Sequence, residues 1–324
     1  LKKCLKLAEE GHYDFLFERR TLLGPYDIQK ITQMMLVAKQ RGFTTPFIQR
    51  LMAKWKLSEG KHHPGYTLYV KTLGQFRIFL GQSEVSADAW SRSKSKELFQ
   101  FLLTRRAKWV SREEMIACLW PGHSPSAGLS NFKVALNALN KVLEPHRKVR
   151  GVPFFIDRKD TMYRLNLTGI VLDVDDFEKT LHRAAEVKDI KEQTELLETG
   201  LAYYKGDFLP ERQFEDWCNE ERERIQLMFL RGSEKLAKLY ISVNDFEKAI
   251  EVCERMIQVD GCWEEAYRIM MYGYYQLNNR PLAIKYFKKC SEKLDRELGI
   301  KPLPSTQALY QQILEGELPF ENKI

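Results

Sequence analysis

The chain has 324 residues, 44% of them hydrophobic and 29% charged, which is enough to bury a sizeable core in two or three domains. No run of about 18 apolar residues interrupts it, which excludes a helical membrane span, and no secretory signal pattern opens it. Six cysteines (Cys4, Cys118, Cys218, Cys253, Cys262, Cys290) lack C-x-x-C spacing and mostly sit in apolar stretches, so they read as reduced thiols of a cytoplasmic protein.

The net charge of +7 is unevenly spread. Residues 1–65 hold 12 Lys/Arg and 6 Asp/Glu, residues 66–169 hold 17 and 8, and residues 170–324 hold 22 and 30. A basic block beside an acidic one suggests a polyanion-binding module joined to a module with another task.

Residues 1–57 predict helices in LKKCLKLAEEG, YDIQKITQMMLVAKQRG and PFIQRLMAKW, with Gly11 and Gly42 as stops. The first residue is Leu, not Met, and the chain opens inside an amphipathic pattern, which reads as a piece of a longer protein. SEGKHHPG, residues 58–65, is a linker; His62 and His63 within it have no nearby ligand partner and give no metal site.

The period then changes. TLYVKTLGQFRIFLGQSEV alternates, is rich in β-formers and is broken by Gly74 and Gly81, which predicts a small antiparallel sheet. Three helices follow. SKSKELFQFLLTRR (93–106) puts Leu98, Phe101 and Leu102 on one face. SREEMIACLWP (111–121) opens with the capping box S-x-x-E on Ser111 and is stopped by Pro121 and Gly122. LSNFKVALNALNKVL (129–143) sets Leu129, Phe132, Leu136, Leu139 and Leu143 on one face, and Ser130, Asn131, Lys133, Asn137, Asn140 and Lys141 on the other. GVPFFIDRKDTMYRLNL (151–167) is two strand-like runs around a polar tip, Asp157 to Asp160, and predicts a hairpin. Sheet, three helices and hairpin make a winged helix-turn-helix.

From residue 171 onward the pattern is helical and repeats. LYISVNDFEKAIEVC (239–253) aligns at an offset of 34 with GYYQLNNRPLAIKYF (273–287), matching Tyr240 with Tyr274, Asn244 with Asn278 and Ala249 with Ala283. A period of 34 with a small residue in the second helix is the tetratricopeptide pattern. Asp173, Asp175 and Asp176 lack the Gly and Glu of a calcium loop and read as the cap of a helix beginning near Phe177.

The polar face of 129–143 carries three asparagines and two lysines and no carboxylate, whereas a solvated face mixes Glu with Lys. Asparagine donates and accepts across adenine N6 and N7, lysine neutralises phosphate or reaches guanine, and a carboxylate there would be repelled by a DNA backbone. The candidate contacts to double-stranded DNA are therefore Ser130, Asn131, Lys133, Val134, Asn137, Asn140 and Lys141, with Asn131 equally readable as a cap or turn residue. Arg92, Lys94 and Lys96 at the start of the first helix suit a phosphate or a merely basic surface, and Arg112 a phosphate or a neighbouring Glu. Arg158 and Lys159 at the hairpin tip suit the minor groove, a phosphate or an ordinary polar turn. Trp109 and Trp120 read as core, Arg105, Arg106 and Lys108 as a solvated charge run, and Asp207, Trp217 and Glu220 as structural.

Several of these segments resemble the bacterial transcriptional activator domain (BTAD) family, antibiotic-regulatory-protein (SARP)-like regulators of actinomycetes. LGQFRIFLGQ is similar to the family's first strands, SKSKELFQFLL and SREEMIACLWP to its first two helices, SNFKVALNALNKVL to its recognition helix, and YYKGDFLPE (203–211) with DWCNEERERI (216–225) to the start of its helical domain. The likeness covers roughly 67–315. GHYDFLFERRTLLGP resembles the end of a helical-repeat array in large ATPase-bearing regulators, which implies a sensor region upstream. The resemblance implies an activator that contacts RNA polymerase and forms a homodimer on direct-repeat DNA. The family's recognition helix is richer in arginine. Here Ala138 and Asn140 stand where a basic residue is common and Lys133 replaces a common Arg, which implies a readout leaning on asparagine.

The expectation is thus a mainly α chain. A winged helix-turn-helix (α+β) domain spans 66–169, and an all-α tetratricopeptide-like domain spans 170–324, after a short helical segment. The function expected is sequence-specific transcription regulation, with helix 129–143 in the major groove and a 154–167 wing on the backbone. The rival is a tetratricopeptide interaction scaffold that binds DNA or acidic partners only non-specifically. G-x-x-x-x-G-K-[ST], G-x-S-x-G and H-E-x-x-H do not occur, so neither an enzyme nor a cofactor or metal site is expected.

Overall fold

The computed structural model describes residues 2–18, 34–35, 38, 42–43, 45–54, 64–106, 108–147 and 151–318. The chain folds as two compact units: residues 1–72, 76–172 and 211–219, and residues 73–75, 173–210 and 220–324.

In the first unit, α1 (Lys2–Glu10), α2 (Phe15–Glu18) and α3 (Pro46–Lys54) share a small core of Leu5, Ala8, Phe17, Phe47, Ile48 and Leu51. The helix expected over 26–42 and the 58–65 linker, with its two histidines, lie largely outside the described residues. The next strands form a sheet in the order β3 (Ser83–Glu84), β2 (Arg77–Leu80), β1 (Leu68–Lys71), β7 (Ile170–Leu172). β1 and β2 are antiparallel as the alternation requires, but β7 adds parallel to β1, pairing Leu68 with Ile170. β4 (Val110–Ser111), β6 (Met162–Leu165) and β5 (Ile156–Lys159) make a second sheet in the order β4-β6-β5.

The helices of this unit that follow are α4 (Ser93–Thr104), α5 (Arg112–Leu119) and α6 (Pro125–Leu143), and α4 and α5 both pack on α6. α4 is buried almost all round, Phe99, Gln100 and Leu103 included, where the sequence pattern exposes one side. Residues 211–219 of the same unit cover that side. There Arg212 Nε donates to Gln100 Oε1 at 2.7 Å, while Trp217 packs on Phe101 of the expected apolar face with ring centroids 5.5 Å apart. Ser111 caps α5, its side chain accepting from Glu114 N at 3.0 Å. α6 begins four residues earlier than expected: Ser124 accepts from Ala127 N and Pro125 occupies the first helical position, a pairing that starts helices rather than prolonging turns. α6 approaches α5 closely at Gly128, where an added Cβ would lie 2.6 Å from Ile116 Cγ2.

The second unit is helical: α7 (Asp173–Glu186), α8 (Ile190–Leu201), α9 (Asp216–Ser242) from Glu220 onward, α10 (Phe246–Val259), α11 (Glu264–Gln276), α12 (Arg280–Leu298) and α13 (Pro304–Glu315). α7 pairs with α8, α10 with α11 and α11 with α12, and α13 closes on both α11 and α12. The 34-residue repeat is geometric as well as chemical: Asn244 and Asn278 adopt φ of 59° and 58° in equivalent turns, and Ala249 and Ala283 are both fully buried. α7 begins at Asp173, not near Phe177. Asp173 Oδ1 accepts from Val174 N and Oδ2 from Leu73 N at 3.1 Å, so the carboxylate serves two amides at once. Gly206, at φ 149°, lies 3.0 Å by its would-be Cβ from Gly74 Cα, a backbone approach no side chain permits.

Candidate nucleic-acid interface

The 19 residues of α6 contain no acid. Its buried stripe is Gly128, Phe132, Ala135, Leu139, Val142 and Leu143, and Phe132 packs edge-on against Trp120 and Tyr163. This stripe turns Ser130, Lys133, Val134, Asn137 and Lys141 outward. Val134 is 40% exposed, an apolar spot among polar neighbours of the kind that meets a thymine methyl. Asn131 is half-buried in the interior of the helix, so it is neither a cap nor a turn residue. Asn140 departs from expectation: it is only 6% exposed, on the edge that the hairpin covers, and its Oδ1 has no hydrogen-bond partner.

The hairpin is a wing beside that face. Lys159 pairs with Met162, so Asp157, Arg158 and Lys159 lie in β5, and the turn is Asp160–Thr161 with Asp160 at φ 53°. The expected polar tip is therefore one strand and half a turn. Arg158 and Lys159 are exposed; Arg158 Nε donates to Asp160 O at 3.0 Å, and its guanidinium lies 5.7 Å from the Tyr163 ring centroid. The turn is tied to the helix-turn-helix by Arg112 N, which donates to Thr161 O at 2.8 Å.

A second tie anchors the wing's root. Glu144 caps the C-terminus of α6, is 4% exposed, and its Oε1 accepts from Phe154 N at 2.8 Å and Phe155 N at 3.2 Å. Arg147 Nε stands 3.7 Å from its other oxygen. α6 and the wing are thus held in one register by a buried carboxylate that pattern reading passed over.

The remaining expected contacts are distributed differently. Arg92 is exposed at the N-cap of α4. Lys94 pairs with Glu97 at 2.8 Å, and Lys96 with Glu211 at 2.8 Å. Arg112 pairs with Glu113, whose carboxyl is held below its ordinary range by that hydrogen bond. These three cations are internally partnered, and α4's N-terminus does not assemble a ready phosphate clamp. Lys133, Lys141 and Lys159 make no ion pair among the described residues. Trp120 is core, as expected. Trp109 is not: it is 37% exposed, with the Arg164 guanidinium 4.5 Å from its ring centroid.

A cleft of about 460 Å³ runs between α6 and the wing, lined by Lys133 and Asn137 on one side and Arg158 and Tyr163 on the other. Among the described residues no cluster of three His, Cys, Asp or Glu has metal-site geometry, and no helix is long and apolar enough to cross a membrane.

Comparison with known families adds the decisive match: the bacterial transcriptional activator domain aligns with residues 172–314. The chain carries a bacterial transcriptional activator domain. The match takes in α7 to α12 and all but the last residue of α13, and its first residue closes β7. Curated proteins similar to this chain include the transcriptional regulator RedD of Streptomyces coelicolor, 24% identical over 242 residues, covering 68% of this chain and 64% of RedD. The regulatory protein AfsR of Streptomyces coelicolor is 21% identical over 262 residues, 79% of this chain and 26% of AfsR. The transcriptional regulatory protein MoaR1 of Mycobacterium tuberculosis is 30% identical over 90 residues, 28% of this chain and 29% of MoaR1. The chain thus spans less than two thirds of each. Among solved structures, Mycobacterium tuberculosis EmbR, determined in complex with a low affinity phosphopeptide, shares the fold. Its TM-score is 0.63 at 18% identity, covering 79% of this chain and 66% of EmbR.

Proposed function

We propose that the chain is a sequence-specific, DNA-binding transcription regulator acting as an activator in the cytoplasm. α6 enters the major groove of double-stranded DNA and reads it with Asn137, Val134 and Ser130, while Lys133 and Lys141 neutralise phosphate. Arg158 and Lys159 of the wing contact the flanking backbone or minor groove. The observation that carries this reading is the outward face of α6, which has two unpaired lysines, an exposed valine and an exposed asparagine, and no acid on the helix. Asn131 and Asn140, half-buried and buried, are removed from direct base reading. The helical domain, by likeness to regulators that carry it, supports self-association as a homodimer on DNA and contact with RNA polymerase.

The test is a binding selection on random duplex DNA with the intact chain and a Lys133→Ala/Asn137→Ala variant at two salt concentrations. A defined motif enriched by the parent and lost in the variant is the expected result. Binding that is only salt-sensitive, without a motif and unchanged in the variant, would overturn the reading and leave a helical-repeat scaffold with a basic surface.

A further inference from the structure

The cleft between α6 and the wing has features that base reading does not use. Its volume of about 460 Å³ falls in the range of small-molecule sites. Its walls are aromatic and aliphatic: Trp109, Phe132, Tyr163 and Ile156. Two buried polar groups in its lining are unsatisfied. Asn140, 6% exposed, has a carboxamide oxygen without a donor. The Arg147 Nε–H is buried without a hydrogen-bond acceptor, 3.7 Å from the Glu144 carboxylate, although the same guanidinium donates through Nη1 to Gly151 O. Leaving a buried donor or acceptor unmade is costly, so a fold retaining two in one cleft gains when a ligand supplies both partners.

The one carboxylate in the lining, Asp157, is engaged by Arg164 at 3.1 Å, and Arg147 is paired with Glu144, so the cleft's positive charge rests on Lys133 and Arg158, for which the described residues show no ion pair. The Arg147 Nε–H, which makes no hydrogen bond, matches an oxyanion. The orphan Asn140 oxygen calls for an N–H or O–H, and the aromatic walls for a flat apolar body.

We propose that this cleft is a binding site for a small aromatic carboxylic acid bearing an N–H or O–H donor, with Arg147 taking the carboxylate, Asn140 the donor, and Trp109, Phe132 and Tyr163 the ring. Lys133, Asn137 and Arg158 border the same cleft, so an occupant and a duplex exclude one another. That consequence rests on the proposed DNA reading; the binding site itself does not.

The experiment is calorimetric titration of the intact, DNA-free chain with indole-3-acetate, which has the carboxylate, the ring and one N–H, and with acetate, which has only the carboxylate. The variants are Asn140→Leu, Arg147→Met and, because it sits at the surface and leaves the core packing alone, Trp109→Ala. Saturable binding of indole-3-acetate at one site, absent with acetate and weakened about tenfold in each variant that keeps its native circular dichroism, is expected, the scale of one lost hydrogen bond to a buried or charged partner. No saturation at millimolar probe, equal binding of acetate, or binding unchanged in Trp109→Ala and in the folded members of the other pair would overturn it. Since no DNA is present, failure of the DNA reading leaves these outcomes unaffected.

Discussion

Glu144 should be the residue on which the wing's position depends. Both amide donors, Phe154 N and Phe155 N, converge on one oxygen, Oε1, while the other oxygen faces Arg147. A hydrogen bond to a charged partner contributes about 1.5–3 kcal/mol net, so Glu144→Ala, which strands two buried amides and removes the ionic partner of the half-buried Arg147, should destabilise the wing root by about 3–5 kcal/mol. Glu144→Gln keeps a carbonyl oxygen for both amides and loses only the ionic partner of Arg147, a cost of about 1 kcal/mol. Native-state amide exchange reads the difference locally: protection of Phe154 and Phe155 should fall by a factor of about 10² to 10³ or more in the alanine variant and about tenfold or less in the glutamine variant. Equal protection in the two variants, or no loss in either, would refute the anchoring role. It would also remove the physical reason for a fixed distance between α6 and Arg158.

Other outcomes follow from the same geometry. Lys133→Ala should weaken binding alike across duplex sequences and reduce the slope of log K against log salt by about 0.9, whereas Asn137→Ala should cost about 1–3 kcal/mol at one base position with the slope unchanged; competition titrations at several salt concentrations separate them. Gly128→Ala should destabilise the winged unit by about 1–3 kcal/mol through overpacking on Ile116, and most of that should return in the Gly128→Ala/Ile116→Ala pair, measured as a double-mutant cycle in urea. Burial holds the Cys253 and Cys290 thiols up to about 12 against an ordinary 9.0. Their neutral forms therefore favour the fold below pH 9, and that contribution declines as pH climbs from 9 toward 12. A Cys253→Ala/Cys290→Ala chain should show a shallower loss of stability over that window, and an identical slope would exclude the thiols as its source.

Local signals carried much of the architecture. The capping box at Ser111, the 34-residue spacing of Asn244 and Asn278, and the alternation in β1 and β2 each need only neighbouring residues to be recognised, and each stands as expected. What failed to show was set by partners far along the chain. β7 reads as the approach to a helix, yet pairs with β1 about a hundred residues earlier. The burial of Gln100 on the second side of α4 follows from Glu211 and Arg212, which no helical period within 93–106 can announce. The early start of α6 was missed because Ser124-Pro125 is ambiguous between a turn and a helix start, and only the bond from Ala127 N decides it.

The interface divides along the same line. Acid-free composition on α6 survives a shift of four residues in the helix start, because each position keeps its angle around the axis, so Lys133, Asn137 and Lys141 emerge outward in either case. Asn140 lies one position past the core residue Leu139, at the margin of the stripe, and its side is decided by the wing that covers it, not by its own helix. Glu144 carried a signal that could have been read. An acid at the C-terminus of a helix faces the negative end of the dipole and is unfavourable there unless donors await it. A lone carboxylate at the end of an acid-free helix therefore points to buried amides close by, and the two it finds are the first residues of the wing.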